Sequence, residues 1–143
     1  MATLISLSVA FLIVSVANGY YDDTCANIEK GHREAFEKQI KAQYPSLYYQ
    51  CELEGAALDF IQHNDFHLVK KVHPLVPIDA HTSIVRIKSD DEFENLVLYA
   101  FDLLDKDFTE HSKTKSAVGC NYQYNLKTGN EIACVFANPN ATL

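Results

Sequence analysis

The chain has 143 residues, with 12 lysines and arginines against 19 aspartates and glutamates, and a formal net charge of −7. A protein this acidic gains nothing electrostatically from nucleic acid or from an anionic membrane surface, so both are excluded as partners. Its four cysteines are even in number, which predicts two disulfides in an oxidising compartment, with three pairings possible on count alone.

The first 19 residues predict a secretory signal peptide. They carry no charged side chain, and their apolar core runs from Leu4 to Val16 ahead of the small residues Ala17-Asn18-Gly19. A membrane anchor is the alternative, but the apolar run is shorter than the roughly 20 residues that a span needs. No later stretch is predicted to span a membrane. The mature protein would then be one secreted, extracellular domain over residues 20–143.

A first helix is predicted over residues 27–43, where apolar residues recur at helical spacing and charged residues lie between them. Thr24 or Asn27 is expected to cap its start, because either side chain can accept a hydrogen bond from the first turn. Pro45 is expected to end it, because proline cannot continue a helix. We interpret this element as a core helix with a solvated charged face.

A second helix is predicted from Tyr48 or Tyr49 to about Phe66, with an apolar stripe on one side and acidic residues on the other. Cys51 falls in its first turn. The stretch 67–80 is predicted to be irregular, because its two X-Pro steps favour extended or turn conformations.

A short strand and a third helix are predicted next. Residues 82–88 alternate between two sets of side chains, as a half-buried strand does. Ser89 and Glu92 have the spacing of a capping box, which predicts that a helix opens there and frays near residues 105–107. Its apolar face comprises Phe93, Leu96, Val97, Ala100, Phe101 and Leu104.

The C-terminal segment predicts a β-hairpin with one cysteine on each arm. The arms are residues 117–124 and 131–137, and glycine and asparagine supply the turn between them. If the turn centres on Lys127, then Cys120 and Cys134 lie directly opposite each other. Opposed strand residues have Cβ atoms about 4.5–5.5 Å apart, and a disulfide needs roughly 3.5–4.5 Å, which a non-hydrogen-bonded pair can approach. The spacing therefore predicts a cross-strand disulfide.

This pairing leaves Cys25 and Cys51 for the second disulfide. Such a bridge would tie the N-terminal end to the second helix and constrain the unfolded chain by roughly 3 kcal/mol. No C-x-x-C spacing is present, so a zinc ribbon or a thioredoxin-like site is not supported. The order α-α-β-α-β-β predicts an α+β fold, with three helices on a small antiparallel sheet.

The histidines do not predict a metal site. His63 and His67 stand four residues apart, but the segment lacks the glutamate of H-E-x-x-H. Glu110-His111-Ser112 places a base beside a hydroxyl, yet adjacent residues do not supply the geometry of nucleophilic catalysis. We therefore predict no metal, no cofactor and no catalytic residue, and hence no enzyme. The remaining histidines are scattered along the sequence: His32, His73, His81 and His111.

Four tyrosines are candidates for a partner-binding surface, because tyrosine combines apolar area with a polar group. They are Tyr48, Tyr49, Tyr122 and Tyr124. Packing at the edge of a small domain is the alternative, and it is the interpretation we favour. Asn140 begins an N-glycosylation sequon, Asn-Ala-Thr, and is the predicted glycosylation site.

Five short segments match motifs of one protein family. They are His32-Arg33-Glu34, Tyr49–Ala57, Asp107–Glu110, Lys115–Cys120 and Ala133–Phe136. They resemble the CAP superfamily, also called SCP/TAPS, and above all the secreted CAP-like proteins of parasitic nematodes. The resemblance covers both ends of the mature chain. It implies a reduced, diverged α-β-α sandwich, and it agrees with a pairing of the two C-terminal cysteines.

The resemblance does not carry over the family's metal-binding tetrad of two histidines and two glutamates. Asp107 stands where one tetrad histidine is expected, and a central Gly-Glu-Asn segment is missing. The resemblance then implies a secreted, non-enzymatic protein that engages a host or extracellular protein, as an effector of the immune-modulating type. The alternative is an extracellular carrier of a lipid or another small hydrophobe, and a hydrolase is a third, disfavoured hypothesis. The oligomeric state is left open.

Overall fold

The computed structural model describes Cys25 and residues 28–73, 76–77 and 79–138. The predicted signal peptide, residues 1–19, and Asn140 lie outside the described residues. Within the described residues there are five α-helices, one 3₁₀ turn and four strands. In chain order they are α1 (Lys30–Gln43), β1 (Tyr48–Tyr49), the 3₁₀ turn (Cys51–Leu53), α2 (Glu54–His63), α3 (Phe66–Val72), β2 (His81–Ile87), α4 (Phe93–Leu103), α5 (Asp105–His111), β3 (Ala117–Asn125) and β4 (Gly129–Ala137).

The four strands form one sheet in the order β1-β3-β4-β2. β4 pairs antiparallel with both β3 and β2, whereas the two-residue β1 pairs parallel with β3. The predicted start of a helix at Tyr48 or Tyr49 is therefore wrong. The backbone at this point pairs with β3 instead: the Tyr48 amide donates to the Ser116 carbonyl, and the Gln50 amide donates to the Val118 carbonyl.

Helices cover both faces of the sheet. We call the side packed by α1, α4 and α5 the aromatic face, because four fully buried phenylalanines fill it. The opposite side, packed by the 3₁₀ turn, α2 and α3, is the alanine face. The predicted α+β class and α-β-α sandwich are confirmed, with five described helices in place of the three that were expected. Among the described residues, no helix combines the length and apolar character needed to cross a bilayer.

The C-terminal hairpin is confirmed in register. Cys120 lies opposite Cys134 in the β3–β4 ladder, and the two are joined by a disulfide with Cα atoms 4.1 Å apart. Gly129, the first residue of β4, has a φ of 86°, a conformation that glycine adopts without strain. A second disulfide joins Cys25 to Cys51, at the start of the 3₁₀ turn.

The predicted second helix is divided in two. Asn64 takes a left-handed conformation with a φ of 49°, which ends α2 at His63. The Asp65 side chain then accepts hydrogen bonds from the amides of His67 and Leu68, and so caps a new helix, α3. The expectation of an irregular segment from residue 67 is wrong for its first part, because an aspartate cap restarts the helix.

Two other helix boundaries differ from the sequence predictions. α4 begins at Phe93 with Glu92 at the N-cap position, whereas the Ser89 hydroxyl accepts from the Asp91 amide, outside the helix. The predicted fraying near 105–107 is wrong, because α5 forms there and buries Phe108 in the aromatic face. At the N-terminal end, α1 begins at Lys30, and its expected caps, Thr24 and Asn27, lie outside the described residues.

Candidate functional site

Two histidines that lie far apart in the sequence come together in the fold. His81 is the first residue of β2 and His111 is the last residue of α5. Their rings stack with centroids 4.6 Å apart and planes inclined by 16°. The His111 ring also lies 4.9 Å from the ring of Phe136, which pairs with His81 across the β2–β4 ladder. The β2–β4 pairing, together with the contact between His111 and Phe136, brings the two histidines together.

Charged groups surround the histidine pair. The buried Lys115 ammonium donates to the exposed Asp79 carboxylate at 3.0 Å, and this hydrogen bond lowers the pKa of Asp79 below its ordinary value. Burial, together with the nearby His81, lowers the pKa of His111, while Asp107 and Glu110 oppose that shift. A lowered pKa keeps the His111 imidazole neutral at pH 7.

The cluster does not assemble a hydrolytic pair from Glu110-His111-Ser112. The Ser112 hydroxyl donates to the Thr109 carbonyl at 3.0 Å, and the His111 ring faces His81. A base and a nucleophile must come within hydrogen-bond reach for covalent catalysis. These two contacts direct the hydroxyl and the imidazole to different partners.

The structure separates the histidines that were considered as metal ligands. His63 ends α2 and the exposed His67 lies in α3, so the left-handed Asn64 stands between them and they do not share a helical face. His73 instead pairs with the Asp59 carboxylate. Within the described part of the chain, one group of three potential ligands is found, Cys25, Cys51 and Glu52. Its two sulfurs form a disulfide, so they offer no thiolate to a metal.

Two of the four candidate tyrosines take part in internal packing. The Tyr49 hydroxyl donates to the Glu54 carboxylate and accepts from the Cys120 amide. The Tyr122 hydroxyl donates to the Asn130 side-chain oxygen at 2.8 Å, and its ring packs edge-on against His32 and Phe93. These contacts agree with the packing interpretation for this pair.

The other two tyrosines, Tyr48 and Tyr124, are about half exposed but do not form one patch. Tyr48 lies beside Ala117 at one end of β3, and Tyr124 lies near the turn at the other end. Ala117 and Tyr124 are seven residues apart on β3, which corresponds to roughly 23 Å along the strand. The structure therefore does not gather the four tyrosines into a single surface.

An ion pair with a buried carboxylate joins α1 to α2. Arg33 donates to both carboxylate oxygens of Glu54, with Nη2–Oε1 at 2.6 Å and Nε–Oε2 at 2.9 Å. Burial raises the pKa of Glu54, although hydrogen bonds from Arg33 and Tyr49 oppose the shift. Burial and the neighbouring Glu54 carboxylate also raise the pKa of Tyr49. The network connects α1, β1, α2 and β3, and so fixes the N-terminal elements to the hairpin.

The outer side of α4 carries three exposed apolar side chains that the sequence analysis missed. Leu98, Tyr99 and Leu103 are 45–64% exposed, and we call these three residues the outer row of α4. Leu98 also lines a shallow groove between α1 and α4. Almost every residue from Leu96 to Leu104 is apolar, which is more than one buried stripe can accommodate. That excess was the signal available in the sequence.

The fold is that of a CAP-type protein, in which helices cover a sheet and a disulfide joins the two strands of the last hairpin. The chain belongs to the family of Ancylostoma-associated secreted protein related proteins (ASPRs), whose model matches residues 22–136. The family resemblance derived from the sequence motifs is thereby confirmed.

Two solved structures are similar to this chain, "Ancylostoma-secreted protein Ac-ASP-7" and "Manganese-bound Ac-ASP-7". Each is 14% identical and has a TM-score of 0.47. Each match covers 78% of this chain, and the matches cover 67% and 66% of those chains, respectively. A search of the curated proteins found no match.

Proposed function

We propose that this chain is a secreted, non-enzymatic protein that engages a host or extracellular protein through its outer surface, as an effector of the immune-modulating type. The observation that carries this proposal is the outer row of α4. Leu98, Tyr99 and Leu103 remain exposed on a helix whose other large apolar side chains are buried or half-buried. Exposed apolar side chains on one side of a helix can form the apolar centre of an interaction site.

The surroundings of the outer row suit a protein partner. Besides Leu98, the groove between α1 and α4 is lined by charged, polar and small residues. An apolar centre with a polar rim is the usual composition of a non-obligate protein interface. The lining residues are Ala35, Lys38, Gln39, Glu94 and Asn95.

A carrier of lipid or another small hydrophobe requires an enclosed apolar cavity. On the aromatic face, Phe36, Phe101 and Phe108 are fully buried against one another, so side chains occupy the space beside the sheet. Two recesses among the described residues open at the surface and are lined mostly by polar and charged residues. These observations favour a function of the surface over a function of the interior.

Secretion is supported by three features. The first 19 residues have the pattern of a cleaved leader, the family match begins at residue 22, and two disulfides are typical of oxidising compartments. We propose cleavage after Gly19, one mature domain over residues 20–143, and glycosylation at Asn140. CAP-type proteins are generally non-enzymatic, and the different partners of the Ser112 hydroxyl and the His111 ring are consistent with that behaviour here.

Among the four tyrosines, we retain Tyr48 and Tyr124 as proposed contacts, because they are half-exposed. Tyr124 stands near Leu126, which is 90% exposed at the hairpin turn. We assign Tyr49 and Tyr122 to packing, because their hydroxyls are hydrogen-bonded within the domain. The hairpin turn is thus a second surface against which the outer row can be compared.

The proposal is tested by quantitative pull-down of the mature protein against host serum and host cell-surface proteins. The triple variant Leu98→Ser/Tyr99→Ser/Leu103→Ser should lose a partner that the wild type retains. The control Leu126→Ser removes an exposed apolar side chain at the hairpin turn and should keep that partner. Equal recovery by all three proteins, or no recovery by the wild type, would contradict the proposal. Light scattering shows whether the outer row instead pairs two copies of this chain.

A further inference from the structure

The stacked histidines join a helix end to the start of an edge strand. β2 stands at the end of the sheet order, so β4 is its neighbour on one side only. At the first position of β2, His81 pairs with Phe136, and its ring lies on His111 at the end of α5. An edge strand is held less firmly than a central one, so a side-chain contact at its end matters for its pairing.

The charged groups around the two histidines determine whether one ring or both rings can carry a proton. Two carboxylates favour a first proton on His111, whereas His81 and the ammonium of Lys115 disfavour it. Lys115 is itself paired with Asp79, which stands just before β2. A second imidazolium would stack directly on the first, where two like charges repel. The charged and titratable groups from all adjoining segments are Asp79, His81, Asp107, Glu110 and Lys115.

We propose that the His81–His111 stack is a pH-sensitive latch that holds the start of β2 against α5 at neutral pH and releases it on acidification. When both rings carry a proton, their repulsion separates them and weakens the first pairs of the β2–β4 ladder. Those pairs are His81 with Phe136 and Thr82 with Val135. Opening would uncover the backbone edge of β4, and an uncovered strand edge is a template for pairing with another chain.

The direction of the pH dependence follows from His111. In the unfolded chain its pKa is about 6.5, and in the folded chain burial and His81 lower it. The unfolded or opened form then binds more protons than the closed form. The stabilisation by the stack is therefore fully present above about pH 6.5 and is lost as the pH falls below that value.

The test is amide hydrogen exchange of the disulfide-intact protein between about pH 7.5 and pH 5, corrected for the intrinsic pH dependence of exchange. Local opening of the first residues of β2 and the last residues of β4 should rise several-fold as the pH falls below about 6.5, because the opened form binds more protons than the closed form. His111→Phe preserves an aromatic ring without a titrating group, so its profile should be flat. The control His63→Gln changes an exposed histidine and should keep the rise.

A flat wild-type profile, or an equal rise in His111→Phe, would overturn the latch. If His111→Phe does not fold, a histidine-ring NMR titration of the wild-type protein gives the same decision. His111 should then titrate below the pH of about 6.5 at which a free imidazole titrates. Titration of His111 at or above that pH would refute the proposal.

Discussion

The two faces of the sheet are packed in different ways, although the same strands build both. On β4, Ile132 and Phe136 belong to the aromatic face, whereas Ala133, Val135 and Ala137 belong to the alanine face. The helices of the aromatic face pack through large rings. The 3₁₀ turn of the alanine face instead approaches β3 closely, because Gly119 has no side chain there.

The two faces of the sheet are therefore stabilised by different interactions. The aromatic face is stabilised by the burial of large apolar side chains. A substitution that leaves a cavity there therefore lowers the free energy of unfolding. The alanine face is built mainly from small side chains, and the Arg33–Glu54–Tyr49 network joins the start of α2 to α1 on the other face. Substitutions on the two faces should therefore act through different mechanisms.

The largest effect is expected from Phe108→Ala on the aromatic face. Phe108 is fully buried, and its ring lies within 4.8 Å of the rings of Tyr44, Phe101 and Phe136. Removing it leaves a cavity and should lower the free energy of unfolding by about 3–5 kcal/mol in urea denaturation. Leu103→Ala, on the exposed outer row, is the control and should cost less than about 0.5 kcal/mol. Similar losses for both variants would show that the aromatic face is not the main core.

Arg33→Met tests the ion pair that joins α1, on the aromatic face, to α2, on the alanine face. It leaves the Glu54 carboxylate buried without its cation, so we expect a loss of about 3 kcal/mol at pH 7. Burial already raises the pKa of Glu54. Without Arg33 the carboxyl should take up a proton more readily on folding, so the deficit should shrink as the pH falls towards 5. A deficit independent of pH, measured by denaturation at several pH values, would argue against a buried charge at Glu54.

Gly119→Ala tests the close approach on the alanine face. A Cβ at this position would lie 2.5 Å from the Leu53 Cβ and 2.6 Å from the Gln50 carbonyl oxygen, so the 3₁₀ turn would have to move. We expect a loss of about 1–3 kcal/mol in thermal or urea denaturation. Gly31→Ala is the matched control, because nothing lies within 4 Å of its added Cβ, and it should stabilise α1 by about 0.5 kcal/mol. The same sign for both substitutions would refute the close approach.

The smallest effect is expected from Tyr49→Phe. The substitution removes the hydroxyl that donates to Glu54 and should lower the free energy of unfolding by about 1.5 kcal/mol. Tyr48→Phe changes a half-exposed neighbour and should lower it by less than about 0.5 kcal/mol. If Tyr49→Phe weakened partner binding without changing the stability, Tyr49 would belong to the interaction surface after all.

The hairpin could be predicted from the sequence because its determinants are local. The turn residues and the equal distances of Cys120 and Cys134 from the turn define the register before any other element is considered. The alternation of residues 82–88 predicted β2 for the same reason. In each case, the information lies within one short segment of the chain.

The features that could not be predicted depend on distant segments. Tyr48 and Tyr49 become a strand because β3 offers a free edge, and His81 meets His111 because β2 pairs with β4. Helical spacing alone cannot show that Asn64 adopts a left-handed conformation within an apparently continuous helix. The outer row of α4 was missed because a continuous apolar run does not show which of its residues face water.

Native mass spectrometry of the secreted, purified protein, followed by organic extraction, tests most directly whether the molecule acts through its surface. The packed aromatic face predicts the mass of the polypeptide with two disulfides and any attached glycan, and no extracted lipid. A stoichiometric lipid or other small hydrophobe that co-purifies with the protein and is released by extraction would contradict this account and support a carrier function.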